Sequence, residues 1–384
     1  MSDWVQPKEN TLSSFRHGLS LMDGIEFDIR STADGELVIH HDRTLAVSEE
    51  LRAGLPEYFE QNSSADVTGL GFPAFQDLLD DPTISAAVKQ QAKVLCIEVK
   101  LPHPSSRVAG TWLNSRKDQP YMQRLLRQAA EMLEQAEYPR QNIIFYSFYR
   151  RINAAARAVD LDWSVSALRP VLPHFGGKLT ARVWVIPEFI TRNLKTRIRQ
   201  QLKAGSPMVP CALEYLVPPT NWIPIGRRLG VEGKPLAHLT KVRGGYPFYV
   251  WPGRTEWEHR LHEAGLTYLT DDADPNHVTL PEGVPRWTKP ATQPLDDSWR
   301  ERFASTPLAQ HAALIEEARR ELPAWHELSA AERRSFLKAW KKRWSWSRSL
   351  EALEADASES QLPWEAVRVI GHRGSGKSPR PIMF

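Results

Sequence analysis

Eight short runs rich in Val, Ile and aromatic residues punctuate the chain, and their number and spacing constrain the fold more than any other feature. They are Gly24–Ile29, Val94–Val99, Asn142–Phe148, Trp163–Leu168, Val209–Tyr215, Pro247–Trp251, Leu266–Thr270 and, far off near the carboxyl end, Val367–Gly371. Helix-period segments lie between them: Leu12, Phe15 and Leu19 share a face within Thr11–Leu21, and Met122–Ala136 carries a similar stripe. Strand and helix patterns in alternation predict βα units around a parallel sheet, and eight strands are the number that closes a barrel. The expected class is therefore α/β, a (β/α)8 TIM barrel. One excursion interrupts the rhythm, because STADGELVIHHD places Asp34-Gly35 between two extended pieces, which predicts a hairpin over Ser31–His41.

From about Pro281 the pattern changes to a Pro-rich connector and then to helical sequence without strand signals until Val367. Residues 1–280 are thus expected to form most of the barrel, 281–365 an added helical segment, and 366–384 the last strand to be laid down. Within the added segment, Pro307 at a first helical position predicts a helix with Leu308, Ala312, Ile315 and Leu322 on one face. Ser329 and Glu332 form a capping box before Phe336, Trp340 and Trp344 at i, i+4, i+8. Lys338, Lys341, Lys342, Arg343 and Arg348 surround those aromatics, so residues 336–348 offer a membrane-surface stripe. The preferred reading is a helix that packs its Trp face on the barrel and solvates its basic face.

Composition narrows the partners. At 41% apolar and 25% charged the 384 residues are globular rather than disordered, and 49 basic against 46 acidic residues give only +3, which does not favour nucleic acid. Cys96 and Cys211 sit inside apolar runs and are expected as buried thiols in a reducing compartment. The start MSDWVQPKENT lacks a basic-then-apolar leader pattern, and no stretch reaches the roughly 18 apolar residues of a spanning helix, so a cytoplasmic location is expected. Nothing in the sequence sets an oligomeric state.

Chemistry concentrates in four places. In GIEFDIR, Glu26 and Asp28 leave one face of a strand. Turned inward, two such carboxylates need a compensating cation, and oxygen donors alone suit Mg²⁺ or Ca²⁺; turned outward, they are merely two solvated acids. LCIEVK repeats the spacing with Glu98 and Lys100, readable either as part of the same site or as a buried ion pair. VIHHD supplies His40 and His41, which strand alternation turns to opposite faces. GHRGSGKS supplies His372, a proton carrier near neutrality, and Arg373, whose fork matches phosphate oxygens. Gly371 to Ser378 also satisfies the spacing of a nucleotide-binding P-loop, but Pro379 and Pro381 forbid the long helix such a loop must open.

Taken together, GHRG, KENT, EFDIR, DGELVIHHD, IEVK, the YSF and VW strands and TDD resemble the glycerophosphodiester phosphodiesterases. The resemblance covers residues 5–275 and 366–384 and is thin over 170–245, where the substrate head group would be read. It implies a TIM barrel that uses one divalent metal, Mg²⁺ or Ca²⁺, and two histidines to cleave a small phosphodiester into an alcohol and a phosphomonoester, through a cyclic phosphate or by direct water attack. By motif it implies His372 and His41 as acid and base, Arg373 and Lys100 on the phosphate, Glu26, Asp28 and Glu98 with Glu9 at the metal, and Trp251 in the pocket. In the family HRG opens the chain and ENT follows; here ENT is at 9–11 and HRG at 372–374, which implies a circularly permuted barrel. Two alternatives stay open: transfer of the phosphoryl group to a sugar or alcohol acceptor, and a non-catalytic barrel that binds a membrane or partner.

Overall fold

Period-two alternation on the first strand decides which residues meet helices and which enter the barrel. The computed structural model describes residues 4–52, 54–111, 115–168, 190, 194–222 and 228–383. Strand β1 (Gly24–Ser31) turns Ile25, Phe27 and Ile29 outward into a core shared with Phe15, Leu19 and Phe75. Glu26, Asp28 and Arg30 therefore point to the opposite face. The remaining strands are β2 (Leu37–Ile39), β3 (Val94–Val99), β4 (Ile143–Ser147), β5 (Ser164–Ala167), β6 (Val209–Ala212), β7 (Phe248–Gly253), β8 (Thr267–Thr270) and β9 (Val369–Gly371).

Eight of them form one parallel sheet in the order β5-β4-β3-β1-β9-β8-β7-β6, while β2 hairpins antiparallel on β1 through the turn at Gly35. The sheet is a nearly closed barrel. Across its seam no backbone pairing joins β5 to β6 among the described residues. Instead the Ser166 hydroxyl donates to Met208 O at 2.9 Å and the Ser206 hydroxyl to Val165 O at 2.7 Å. Val94, Cys96, Ile144, Tyr146, Tyr249, Leu269 and Ile370 fill the interior, and both cysteines are buried and unbridged.

The carboxyl-terminal strand sits between the two ends of the rest: Gly24 of β1 faces Ile370, and Thr270 of β8 faces Gly371. Asp23 fastens it. One carboxylate oxygen accepts from Val369 N at 2.8 Å, and the other accepts from Thr292 N at 2.8 Å and the Thr292 hydroxyl at 2.6 Å. One buried acid thus ties β1, β9 and the Pro-rich connector together, with Lys93 donating to Met22 O and to Thr292 beside it. Burial raises the Asp23 carboxyl above its ordinary range and lowers Lys93 to about 7.

The added segment contains helices Asp297–Ser305, His311–Glu321, Ala330–Arg343 and Leu350–Asp356. Two differ from the sequence expectation. Asp297–Ser305, which buries only Trp299 and Phe303, was not anticipated. Pro307 caps a 3-10 turn rather than opening the helix, so the buried face is His311, Leu314, Ile315 and Ala318, leaving Leu308 and Ala312 exposed. Ser329 and Glu332 do form the capping box, and Trp340 and Trp344 are buried with Trp325 and Trp346. Burial removes those two indoles from any surface stripe. Among the described residues no helix is long and apolar enough to cross a membrane.

Candidate active site

Glycine geometry explains how the HRG turn lies against the amino terminus. Gly374 has φ of +87°, and a Cβ there would stand 2.3 Å from the Ser14 hydroxyl. Gly18, one turn along the helix Leu12–Leu21, has the reciprocal problem, since its Cβ would meet Gly374 O at 2.5 Å. Close approach lets the Ser14 hydroxyl donate to Arg373 O at 3.1 Å and the Ser375 hydroxyl donate to Ser14 O at 2.8 Å. Asn10 N also donates to Arg373 O, at 3.0 Å, and Glu9 N donates to the Ser378 hydroxyl at 2.9 Å. Segments more than 350 residues apart in the chain are neighbours here.

At the carboxyl ends of β1 and β3 the register sets Asp28 opposite Glu98. Glu26, Asp28 and Glu98 are buried, and each offers a carboxylate oxygen within 4.8 Å of the others. Lys100 Nζ bridges two of them, 2.8 Å from Asp28 and 2.7 Å from Glu98. Burial tends to raise Asp28, but Lys100, His41 and Arg373 outweigh it and hold the carboxyl well below its usual range. Glu26 goes the other way: burial, Asp28 and Glu98 push it well above. Among the described residues its carboxylate accepts one hydrogen bond, from the Arg373 N–H at 2.9 Å.

His372 enters from the end of β9. Its Nδ1 is 2.6 Å from Asp271, just after β8, and its Nε2 is 3.7 Å from Glu26. A carboxylate only accepts, so Nδ1 carries the proton and Nε2 faces the carboxylates as a base. His41 repeats the arrangement, with Nδ1 2.8 Å from Asp42. Burial lowers both imidazoles; Asp271 partly offsets this at His372, whereas Lys100 adds to it at His41 and leaves that ring well below its ordinary value. Burial raises Asp271 while His372 and Lys377 pull it down, to about 2 overall. His40 points elsewhere: it lies between Phe59 and Phe72, with ring centroids 4.9 and 4.4 Å away, and burial drops it to about 4.

The two remaining residues expected at the site, Glu9 and Trp251, stand apart from the carboxylate trio. Glu9 is engaged by Arg373 at 2.8 Å, Arg380 at 2.6 Å and Ser378 N at 2.7 Å. Trp251 ends β7, edge-on to Phe148 at 5.3 Å, with its indole N–H buried and unpaired among the described residues. Structure adds partners that the motif reading gave no role. Asn10 donates to Asp28 at 3.1 Å, Arg30 pairs with Glu60 and donates to His41 O at 2.9 Å, and Arg380 joins Glu9 to Asp42. Asn10 and Arg30 were legible as the N of ENT and the third inward residue of EFDIR. Asp271 stood in TDD, but no spacing links it to a histidine 101 positions away. The stretch 170–245, expected to read the head group, falls partly outside the described residues.

Residues 3–135 match the family described as Glycerophosphoryl diester phosphodiesterase family. The matched span contains Glu9, Glu26, Asp28, His41, Glu98 and Lys100, and ends before Trp251, His372 and Arg373. The chain is also similar to solved structures, among them a glycerophosphodiester phosphodiesterase from Thermotoga maritima, 14% identical, covering 69% of this chain and 89% of its own, with TM-score 0.43. A putative glycerophosphoryl diester phosphodiesterase from Silicibacter pomeroyi is 17% identical over 68% and 84%, TM-score 0.45. An Oleispira antarctica phosphodiesterase, solved with the product sn-glycerol-3-phosphate, is 14% identical over 69% and 87%, TM-score 0.44. No curated protein matches the chain.

Proposed function

We propose that the chain is a divalent-metal-dependent phosphodiesterase that cleaves a small glycerophosphodiester-like substrate to an alcohol and a phosphomonoester, on a barrel permuted relative to the family order. The observation that carries the reading is the convergence of three buried carboxylates with two carboxylate-held histidines, Arg373 and Lys100 at one end of the barrel. Permutation is supported by the residue-by-residue contact of 9–14 with 373–378, since joining these neighbours would restore the family order without moving a strand.

The donor set fits a hard cation. Three carboxylates share one buried cluster with Lys100 and Arg373, burial and the neighbouring Asp28 and Glu98 raise Glu26, and all three carboxylates offer oxygen donors. The Tyr146 hydroxyl, whose own pKa burial and these carboxylates raise, is buried without a hydrogen-bond partner among the described residues. Glu26, Asp28 and Glu98 would hold the metal; Glu9 would have to leave Arg380 or Arg373 to join them. Bound there, the ion would neutralise the diester's charge and polarise its phosphoryl oxygen.

The protein's own residues do the rest. Lys100 and the Arg373 guanidinium, whose Nε lies 3.9 Å from Asp28 and makes no hydrogen bond among the described residues, bind the phosphate oxygens. His41 and His372 each present Nε2 with the opposite nitrogen fixed by an acid. One takes the proton of the attacking hydroxyl or water, and the other delivers a proton to the departing alcohol. Asp271 and Asp42 stabilise whichever ring becomes imidazolium. A glycerophosphodiester assay after exhaustive chelation, with Mg²⁺ or Ca²⁺ then restored, tests the reading. Hydrolysis that returns with the ion supports it; undiminished hydrolysis in the chelated protein contradicts it.

A further inference from the structure

A second site lies outside the barrel, between the helix Thr255–Glu263, the turn around Gly283, and the added helices Asp297–Ser305 and Ala330–Arg343. These elements enclose a cavity of about 450 Å³, within the range of small-molecule sites. Leu280, Leu295, Trp287 and Phe303 give it an apolar wall, with the Trp287 and Phe303 rings 5.8 Å apart. Two guanidiniums, Arg300 and Arg343, and the Glu263 carboxylate line it as well. The helix Thr255–Glu263 descends from the end of β7 to the start of β8, so its Glu263 end lies at the foot of the barrel, away from the carboxylate cluster.

The two arginines are not equivalent. Arg343 is held by both oxygens of Glu263 at 2.7 Å. Arg300 is half-buried, and its guanidinium makes no hydrogen bond or ion pair with any described residue. Burial and the like charge of Arg343 push Arg300 below its ordinary pKa, and Glu263, Asp297 and Asp296 offset them only in part. Glu263 therefore compensates the two guanidiniums incompletely, and a further anion joining them would be favourable. Arg286, which also lines the cavity, is buried and donates through Nε and NH2 to both carboxylate oxygens of Glu258.

We infer that this cavity binds an organic phosphate with an apolar body, its phosphate on Arg300 and the free edge of Arg343 and its body against Trp287 and Phe303. A phosphate suits the pair because its three terminal oxygens can reach two forks, whereas a carboxylate's two oxygens are matched by one. The inference is independent of the proposed catalysis, since none of these residues belongs to the barrel-mouth cluster.

Calorimetric titration of the whole chain with phenyl phosphate, in chelator, tests it. Wild type is expected to bind one molecule that Arg300→Gln weakens at least about tenfold, a step of roughly 1.4 kcal/mol, while Lys100→Ala leaves it unchanged. Inorganic phosphate, lacking the ring, should bind more weakly than phenyl phosphate, and Arg300→Lys should retain part of the affinity, which excludes misfolding as the cause. Absence of binding at about 10 mM, where even a site of about 1 mM Kd would be mostly filled, overturns the inference. So does binding lost in Lys100→Ala but intact in Arg300→Gln, which would place the ligand at the barrel mouth, and so does equal affinity for inorganic phosphate.

Discussion

Replacing Asp271 by Asn keeps the size of the side chain that holds His372 and removes only its charge. The 2.6 Å contact is charge-assisted whenever the imidazole gains a proton, and hydrogen bonds to charged groups contribute about 1.5–3 kcal/mol. Asp271 is one-third exposed and His372 only 13%, so water screens the pair on one side and the lower part of that range applies. A loss of about 1.5–2.3 kcal/mol in transition-state stabilisation is a fall of about ten- to fiftyfold in kcat. Direction in pH follows separately. Burial lowers the His372 pKa and Asp271 opposes it, so removing the charge lets burial prevail and the pKa falls further. The limb of the kcat/KM profile that reports His372 must therefore move to lower pH, whether the ring serves as acid or base. Steady-state kinetics on glycerophosphocholine from pH 5 to 9, with the thermal midpoint measured alongside, read both effects. A loss under about threefold with neither limb displaced would refute the assignment of Asp271 as the group that positions and charges His372.

Three further outcomes are expected. His41→Ala should lower kcat by about a hundredfold or more, while His40→Phe, set in the Phe59–Phe72 cluster, should stay within about threefold of wild type; parallel kinetics on the two variants separate the histidines. Glu98→Gln should weaken the midpoint for Mg²⁺ or Ca²⁺ activation by about tenfold or more, measured by titrating metal into chelated protein. Asp23→Ala strips the acceptor shared by Val369, Thr292 and Ala291 and should reduce unfolding free energy by about 3–5 kcal/mol in urea, since several buried donors lose their partner together.

Local pattern made the strands legible, because β-branched runs with period-two alternation are a property of a few consecutive residues. The same alternation put Glu26 and Asp28 on one face, which the structure turns inward, and turned His40 and His41 apart. What the sequence concealed is carried by contacts between distant segments. Asp271 to His372, Arg380 to Glu9 and Asp42, and the Asp23 clamp span 101 to more than 300 positions and leave no spacing to recognise. Glu9 illustrates how context redirects a motif residue: two arginines and a backbone N–H surround it, and all three come from the far end of the chain. In the added segment, Asp297–Ser305 escaped notice because two aromatics four apart are too little apolar pattern to mark a helix. The stripe after Pro307 slipped because the proline caps a 3-10 turn before the helix begins.

The central claim is that His372, near the carboxyl end, and Glu26, near the amino end, belong to one metal-dependent site. Its most direct test compares wild type, His372→Ala and Glu26→Ala on glycerophosphocholine with Mg²⁺ or Ca²⁺, following choline, glycerol 3-phosphate and cyclic phosphate together. The account predicts metal-dependent release of choline by the wild type and loss of about a hundredfold or more in each variant, with both variants folded. Wild-type activity that survives either substitution would contradict it.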